Sequence, residues 1–243
     1  MIAGINAGLI YANGCVPFWT SATVMGVSAG QLRNSTDVND IEVDEALTIT
    51  STVVGAGGLD VGTMANTTLY AVYVIAASTL RVEPAAILSL SESAPLLPRD
   101  YDMYLKVGHV RTDGSAQFLP FVCVGNGLVR ETRYDTPIAV LTAGAATSFT
   151  DVDCADIVPA METKIFLQAS ITPNSAGNSV FARRNGSAAS SGNAQLSGAV
   201  SAVAQLAQLE VTCDEDAVFE YKVSNASDAT TLSVIGYQEI LGL

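Results

Sequence analysis

The side chains of this 243-residue sequence that could do chemistry are one histidine, four cysteines and two clusters of carboxylates. His109 lies inside the strand-like run Val107-Gly108-His109-Val110, so any Ser-His-Asp or Cys-His mechanism would rest on that one ring. No G-x-S-x-G elbow accompanies it, and a packed strand histidine is the expectation. Cys15, Cys123, Cys154 and Cys213 stand apart, without a C-x-x-C pair or a histidine nearby. That isolation predicts buried thiols rather than zinc ligands, a redox pair or disulfides. Asp151, Asp153 and Asp156, then Asp214, Glu215 and Asp216, place carboxylates at a spacing that can share an oxygen-ligated cation such as calcium. Neither cluster follows the D-x-[DN]-x-[DN]-G pattern, and acidic loop residues at strand ends are ordinary, so these remain secondary metal candidates. As glycosidase carboxylates they are weaker still, because sequence spacing does not give their separation in space. Gly55-Ala56-Gly57-Gly58 resembles a phosphate loop but leads into Leu59-Asp60-Val61-Gly62 and not into a helix, so it reads as a turn. The expectation is a chain with no catalytic residue and no cofactor.

Charge narrows the partners. Eleven Lys and Arg against 24 Asp and Glu give a net charge of -13, with only 14% of residues charged. Without a basic stripe to neutralise phosphates, a nucleic-acid backbone would be repelled. The longest apolar run, residues 69–77, falls short of the roughly 18 apolar residues of a spanning helix, and no membrane partner is expected. The apolar residues near the start of the chain follow no basic segment and precede no clear cleavage pattern, which predicts synthesis and assembly in a cytosol.

The elements that must position these residues read as strands. Runs rich in β-branched and aromatic residues recur between turn signals at 46–54, 68–76, 86–90, 104–111, 117–124, 138–141, 164–172, 206–212, 218–223 and 231–237. In Leu69-Tyr70-Ala71-Val72-Tyr73-Val74-Ile75 both alternating sets are apolar, the mark of a strand buried on both faces or at an interface. Tyr70, Val72, Tyr73, Val74 and Ile75 are therefore the candidate oligomer or lattice contacts. Thr112-Asp113-Gly114-Ser115 reads as a hairpin connection. Residues 199–209 fit either a helix or a strand, with a strand favoured by its β surroundings, and 170–201 reads as long Ser/Asn/Ala/Gly loops around a short strand near 180–183. A boundary is expected near residue 129, between a glycine-rich stop and the charged stretch Arg130-Glu131-Thr132-Arg133-Tyr134-Asp135. That gives an N-terminal β-domain, 1–128, for attachment or oligomerisation, and a β-sandwich, 129–243.

Residues 69–75, then Ala86-Ile87-Leu88-Ser89-Leu90-Ser91 and Pro95-Leu96-Leu97-Pro98-Arg99-Asp100-Tyr101, lead into Lys106-Val107-Gly108-His109-Val110-Arg111-Thr112-Asp113. This order resembles a module of tailed-bacteriophage virion proteins, found in head-fibre, decoration and tail-fibre-like chains, over about residues 20–125. Leu105-Lys106 stands where that pattern often carries an arginine pair. Phe219-Glu220-Tyr221-Lys222-Val223 and Leu232-Ser233-Val234-Ile235-Gly236-Tyr237 look like the closing strands of the β-sandwich such proteins carry. The resemblance implies an all-β chain ending in a jelly-roll-like antiparallel β-sandwich. It also implies a non-enzymatic virion protein made in a host bacterial cytoplasm: a capsid decoration (cement) or head-fibre subunit on the capsid exterior. Its partners would be itself, as a trimer, and the major capsid protein or another virion protein. A tail or tail-fibre adhesin binding a host glycan is the alternative, and a glycan-cleaving enzyme a more distant one.

Overall fold

Some strands of this chain alternate between two environments, as β-strand geometry allows, and others are buried on both faces. In the computed structural model, which describes residues 11–79 and 82–241, every regular element is a strand. Among the described residues no helix is long and apolar enough to cross a membrane.

The first strands are short: β1 (Ala12–Gly14), β2 (Pro17–Ser21), β3 (Val24–Val27), β4 (Gly30–Arg33), β5 (Asp40–Val43) and β6 (Leu47–Thr50). They form two small antiparallel sheets, ordered β1-β4-β5 and β2-β3-β6. Most of this region carried no strand signal in the sequence, because three to five residues interrupted by Gly, Asn and Ser show too little alternation to register. Then come β7 (Leu69–Ala76), β8 (Ala85–Ser89) and β9 (Met103–Arg111), in a sheet ordered β8-β7-β9. β7 is central there, and all of it after Leu69 is buried, as expected of a strand apolar on both faces. Ala71, Tyr73, Ile75 and Ile87 form a core against which Leu97, Tyr101 and Tyr104 pack. The Tyr73 and Tyr104 rings meet edge to face at 5.9 Å, a favourable quadrupole arrangement.

β10 (Phe121–Asn126) turns at Gly127 into β11 (Val129–Gly144), a strand of 16 residues. The charged stretch read as the edge of a boundary is thus regular strand. Arg130, Thr132 and Tyr134 are buried while their neighbours Glu131, Arg133 and Asp135 are not, a period of two whose inward set is polar enough to hide it.

The remaining strands are β12 (Thr150–Asp153), β13 (Lys164–Thr172), β14 (Ser179–Arg184), β15 (Ala194–Ser197), β16 (Gln205–Thr212), β17 (Val218–Val223) and β18 (Ala229–Ile240). With β10 and β11 they make two antiparallel sheets, β10-β11-β18-β13-β16 and β12-β17-β14-β15. Counted along the chain from β11, this places the first, eighth, third and sixth strands in one sheet and the second, seventh, fourth and fifth in the other. That is the wiring of a jelly roll, two interleaved Greek keys. In β17, Phe219, Tyr221 and Val223 are buried, with Glu220 and Lys222 on the other face. Across the ladder Arg183 pairs with Glu220 at 2.6 Å.

The chain divides into two units, Met1–Arg130 with Ile240–Leu243, and Glu131–Glu239. The sequence assigned 129–243 to the second part. In the structure Ile240 and Leu241 belong to the first unit, where the Leu241 N–H donates to the Leu128 carbonyl at 2.7 Å.

Candidate functional site

The one histidine of the sequence sits in a cluster of ionisable side chains that is built by a bulge. In β9, Lys106 and His109 are three apart, which in a regular strand would put them on opposite faces. Tyr73 of β7 pairs with Lys106 and the adjacent Val72 with Gly108, leaving Val107 as an extra residue. That bulge turns Lys106 and His109 toward one carboxylate. Glu92, in the loop after β8, lies 3.0 Å from the Lys106 ammonium and 2.7 Å from His109 Nε2. His109 and Lys106 are buried, whereas 45% of the Glu92 side chain remains exposed. Burial acts to raise the Glu92 pKa, but the hydrogen bond and field of His109, then Lys106, outweigh it and hold the group at about 2. The trio is an ion cluster in which Glu92 is ionised at neutral pH, so it has no proton to donate and little basicity with which to abstract one. Its hydrogen bonds are spent on holding the loop against the sheet.

The bulge has its own support. Arg130 is fully buried and donates from Nε to the Val107 carbonyl at 3.2 Å, from Nη1 to the Gly127 and Val129 carbonyls at 2.8 and 3.3 Å, and from Nη2 to the Gly14 carbonyl at 3.0 Å. A rigid five-donor fork suits such a task. Neither Glu92 nor Arg130 was singled out as a site residue from the sequence. The available signal was Gly108 between Lys106 and His109, since a glycine inside a strand pattern marks a bulge.

The other candidates are placed as follows. Asp153 pairs in register with Val218 across the β12–β17 ladder, so the two acidic stretches approach at one end of the second unit. There they tie turns. Asp153 Oδ1 accepts the Ala155 N–H at 2.9 Å. Asp214 Oδ1 accepts the Val218 and Asp216 N–H groups at 2.9 and 3.1 Å, and its Oδ2 accepts the Asn185 amide at 2.7 Å. Burial raises the Asp214 pKa, but these donors outweigh it and the group lies below the usual carboxylate range. Asp151, Asp156 and Asp216 are exposed, and among the described residues no three His, Cys, Asp or Glu converge as a metal-binding group.

Tyr70, Val72, Tyr73, Val74 and Ile75 are 0–1% exposed. Their alternating apolar sets face this chain's own core on both sides of β7, so they offer no outward surface, and a contact between subunits must use other residues. Cys15, Cys154 and Cys213 are buried, Cys123 is partly buried, and none of the four is in a disulfide. Burial pushes the Cys15 and Cys213 thiols up to about 11 and raises Cys154 as well, with neighbouring Cys213 adding to the effect. Such thiols are not nucleophiles at neutral pH.

No family model matches this chain, and no curated protein does. Among solved structures it aligns with a Bacillus thuringiensis Cry1Da tryptic core variant at 9% identity, over 97% of this chain and 53% of that one, with a TM-score of 0.19. The chain thus spans about half the length of that protein, and a similarity at this level carries no argument.

Proposed function

We propose that this chain is a non-enzymatic structural protein of a tailed-bacteriophage virion, an oligomeric capsid decoration or head-fibre subunit on the outer face of the capsid. The observation that carries the reading is a jelly-roll unit in a chain of net charge -13. Jelly rolls build viral shells and also lectins and cupins, so the fold alone does not choose. Support for a structural role comes from the use of the polar groups. Asp153 and Asp214 hold turns, and Glu92 is held by Lys106 and His109. The acidity fits a position away from packaged DNA, whose phosphates would repel the subunit.

A cement binds the assembled lattice and stabilises it by mass action. Particles lacking the chain should therefore assemble but release DNA at a lower temperature than complete particles, and added purified chain should restore the difference. Unchanged release temperature together with lost host adsorption would overturn the decoration reading in favour of a tail or tail-fibre adhesin.

A further inference from the structure

The two sides of the jelly roll are guarded differently. One side ends on β12 and on the second half of β11. There Asp151, Asp153, Asp135 and Pro137 are exposed, and charged residues and proline on outer strands are the usual defences of a sheet against joining another. The other side ends on β15 and β16, the outer strands of their two sheets. From 185 to 209 there is no charged residue and no proline. The first charge beyond, Glu210, is paired with Lys164 at 2.9 Å on the neighbouring strand.

This unguarded side carries apolar surface on a fixed frame. Val200, Val203 and Leu206 are 53%, 50% and 63% exposed. The loop that displays the two valines is pinned at several points: the Ala202 N–H donates to the Pro173 carbonyl at 2.7 Å, Ser201 Oγ to the Asn174 carbonyl at 2.7 Å, and the Ala199 N–H to Gln205 Oε1 at 2.9 Å. A loop already held in place has little ordering entropy left to lose on binding.

We infer that the β15–β16 side of the jelly roll is the surface through which copies of this chain meet, with Val200, Val203 and Leu206 at its centre. The occupant follows from charge. A basic partner would be drawn to acidic surface wherever it lies, and a neutral face gives it no advantage. A partner that is itself acidic is repelled at a chain of net charge -13 except where charge is missing on both, and a second copy meets that condition through the same face. The inference rests on the proposed reading of the chain as an oligomeric subunit and names the surface that reading requires.

The test uses the full chain, by sedimentation velocity over a range of micromolar concentrations. Wild type should sediment as an oligomer of the 25.1 kDa subunit. Val203→Asp and Leu206→Asp, at exposed positions, should weaken association by about tenfold or more with circular dichroism unchanged, whereas Val122→Asp, at an exposed valine of the first unit, should not. As a check that needs no variant, amide exchange of 194–208 in wild type should slow as concentration is raised through the association range. A wild-type oligomer that persists in both variants, with exchange of 194–208 independent of concentration, would overturn this surface while leaving the oligomeric reading in place. A wild type that stays monomeric throughout would overturn both.

Discussion

Glu92 gains its low pKa only where the fold brings His109 and Lys106 to it, so its contribution to stability depends on pH in a definite direction. The group moves from an ordinary 4.5 to about 2 in the folded chain. The unfolded chain therefore takes up the proton first as pH falls, and the stabilisation is complete above about 4.5 and drains away between there and about 2. Wild type should melt above Glu92→Gln at neutral pH, and the gap should close across that window; a gap independent of pH would contradict the ion cluster. Solvent reaches Glu92, so the effect should be modest. Arg130 is a different case. Replacing it with Met leaves the buried Val107 carbonyl without its Arg130 donor and takes a donor from the part-buried Gly14 carbonyl, at about 1–3 kcal/mol for a buried group so stranded. Urea denaturation of Arg130→Met should show a correspondingly large loss. Thiol titration gives a third check: in the native chain Cys123 should react first, and Cys15, Cys154 and Cys213 only on unfolding, because burial both blocks the reagent and keeps those thiols protonated.

Bulges set the geometry of both central ladders. In the first unit the bulge at Val107 faces Lys106 and His109 toward one carboxylate. In the second, Phe166 pairs with Gly236 and Leu167 with Val234, so Ile235 is the extra residue of β18. Glycine stands at this second bulge because the backbone of β11 passes close by: a Cβ on residue 236 would lie 2.3 Å from the Thr132 carbonyl oxygen. That neighbour is main chain within a ladder and cannot move aside cheaply. Gly236→Ala should cost about 1–3 kcal/mol, read as a lower urea midpoint with unchanged slope. A neutral result would mean that β11 and β18 lie farther apart than this geometry requires. Outer strands follow a similar logic, since exposed Asp151 and Asp153, unsuited as a ligand set, are well suited to keep β12 from pairing with another chain.

Over the whole molecule, few charges and a net charge of -13 limit what could hold the proposed decoration subunit to a particle. Ionic contacts are scarce, so attachment should rest on apolar surface and survive high salt, where a Debye length of about 3 Å at 1 M would weaken an electrostatic tether. Binding of purified chain to stripped particles should be nearly the same in low and high salt. Release on raising the salt would assign the attachment to charge and contradict this expectation.

The β class was legible in the sequence, as were the burial of β7 on both faces and the place of His109 inside a strand, because each depends on residue type and a period of two within a single segment. The short strands between 12 and 43 were not legible, since a few residues broken by glycine carry no measurable period. Nor was the inward set of β11, whose Arg130 and Thr132 look like surface residues until their partners are known. Tertiary structure alone brought Glu92 to His109, 17 residues away, and Arg130 to Gly14, 116 residues away. It also took Tyr70 and its neighbours out of the list of contacts by covering both faces of β7 from within the chain. Alternation along a strand states that a face will be buried, but what buries it, and which polar groups meet across it, is settled by pairing between segments distant in sequence and by the single-residue bulges that set their register.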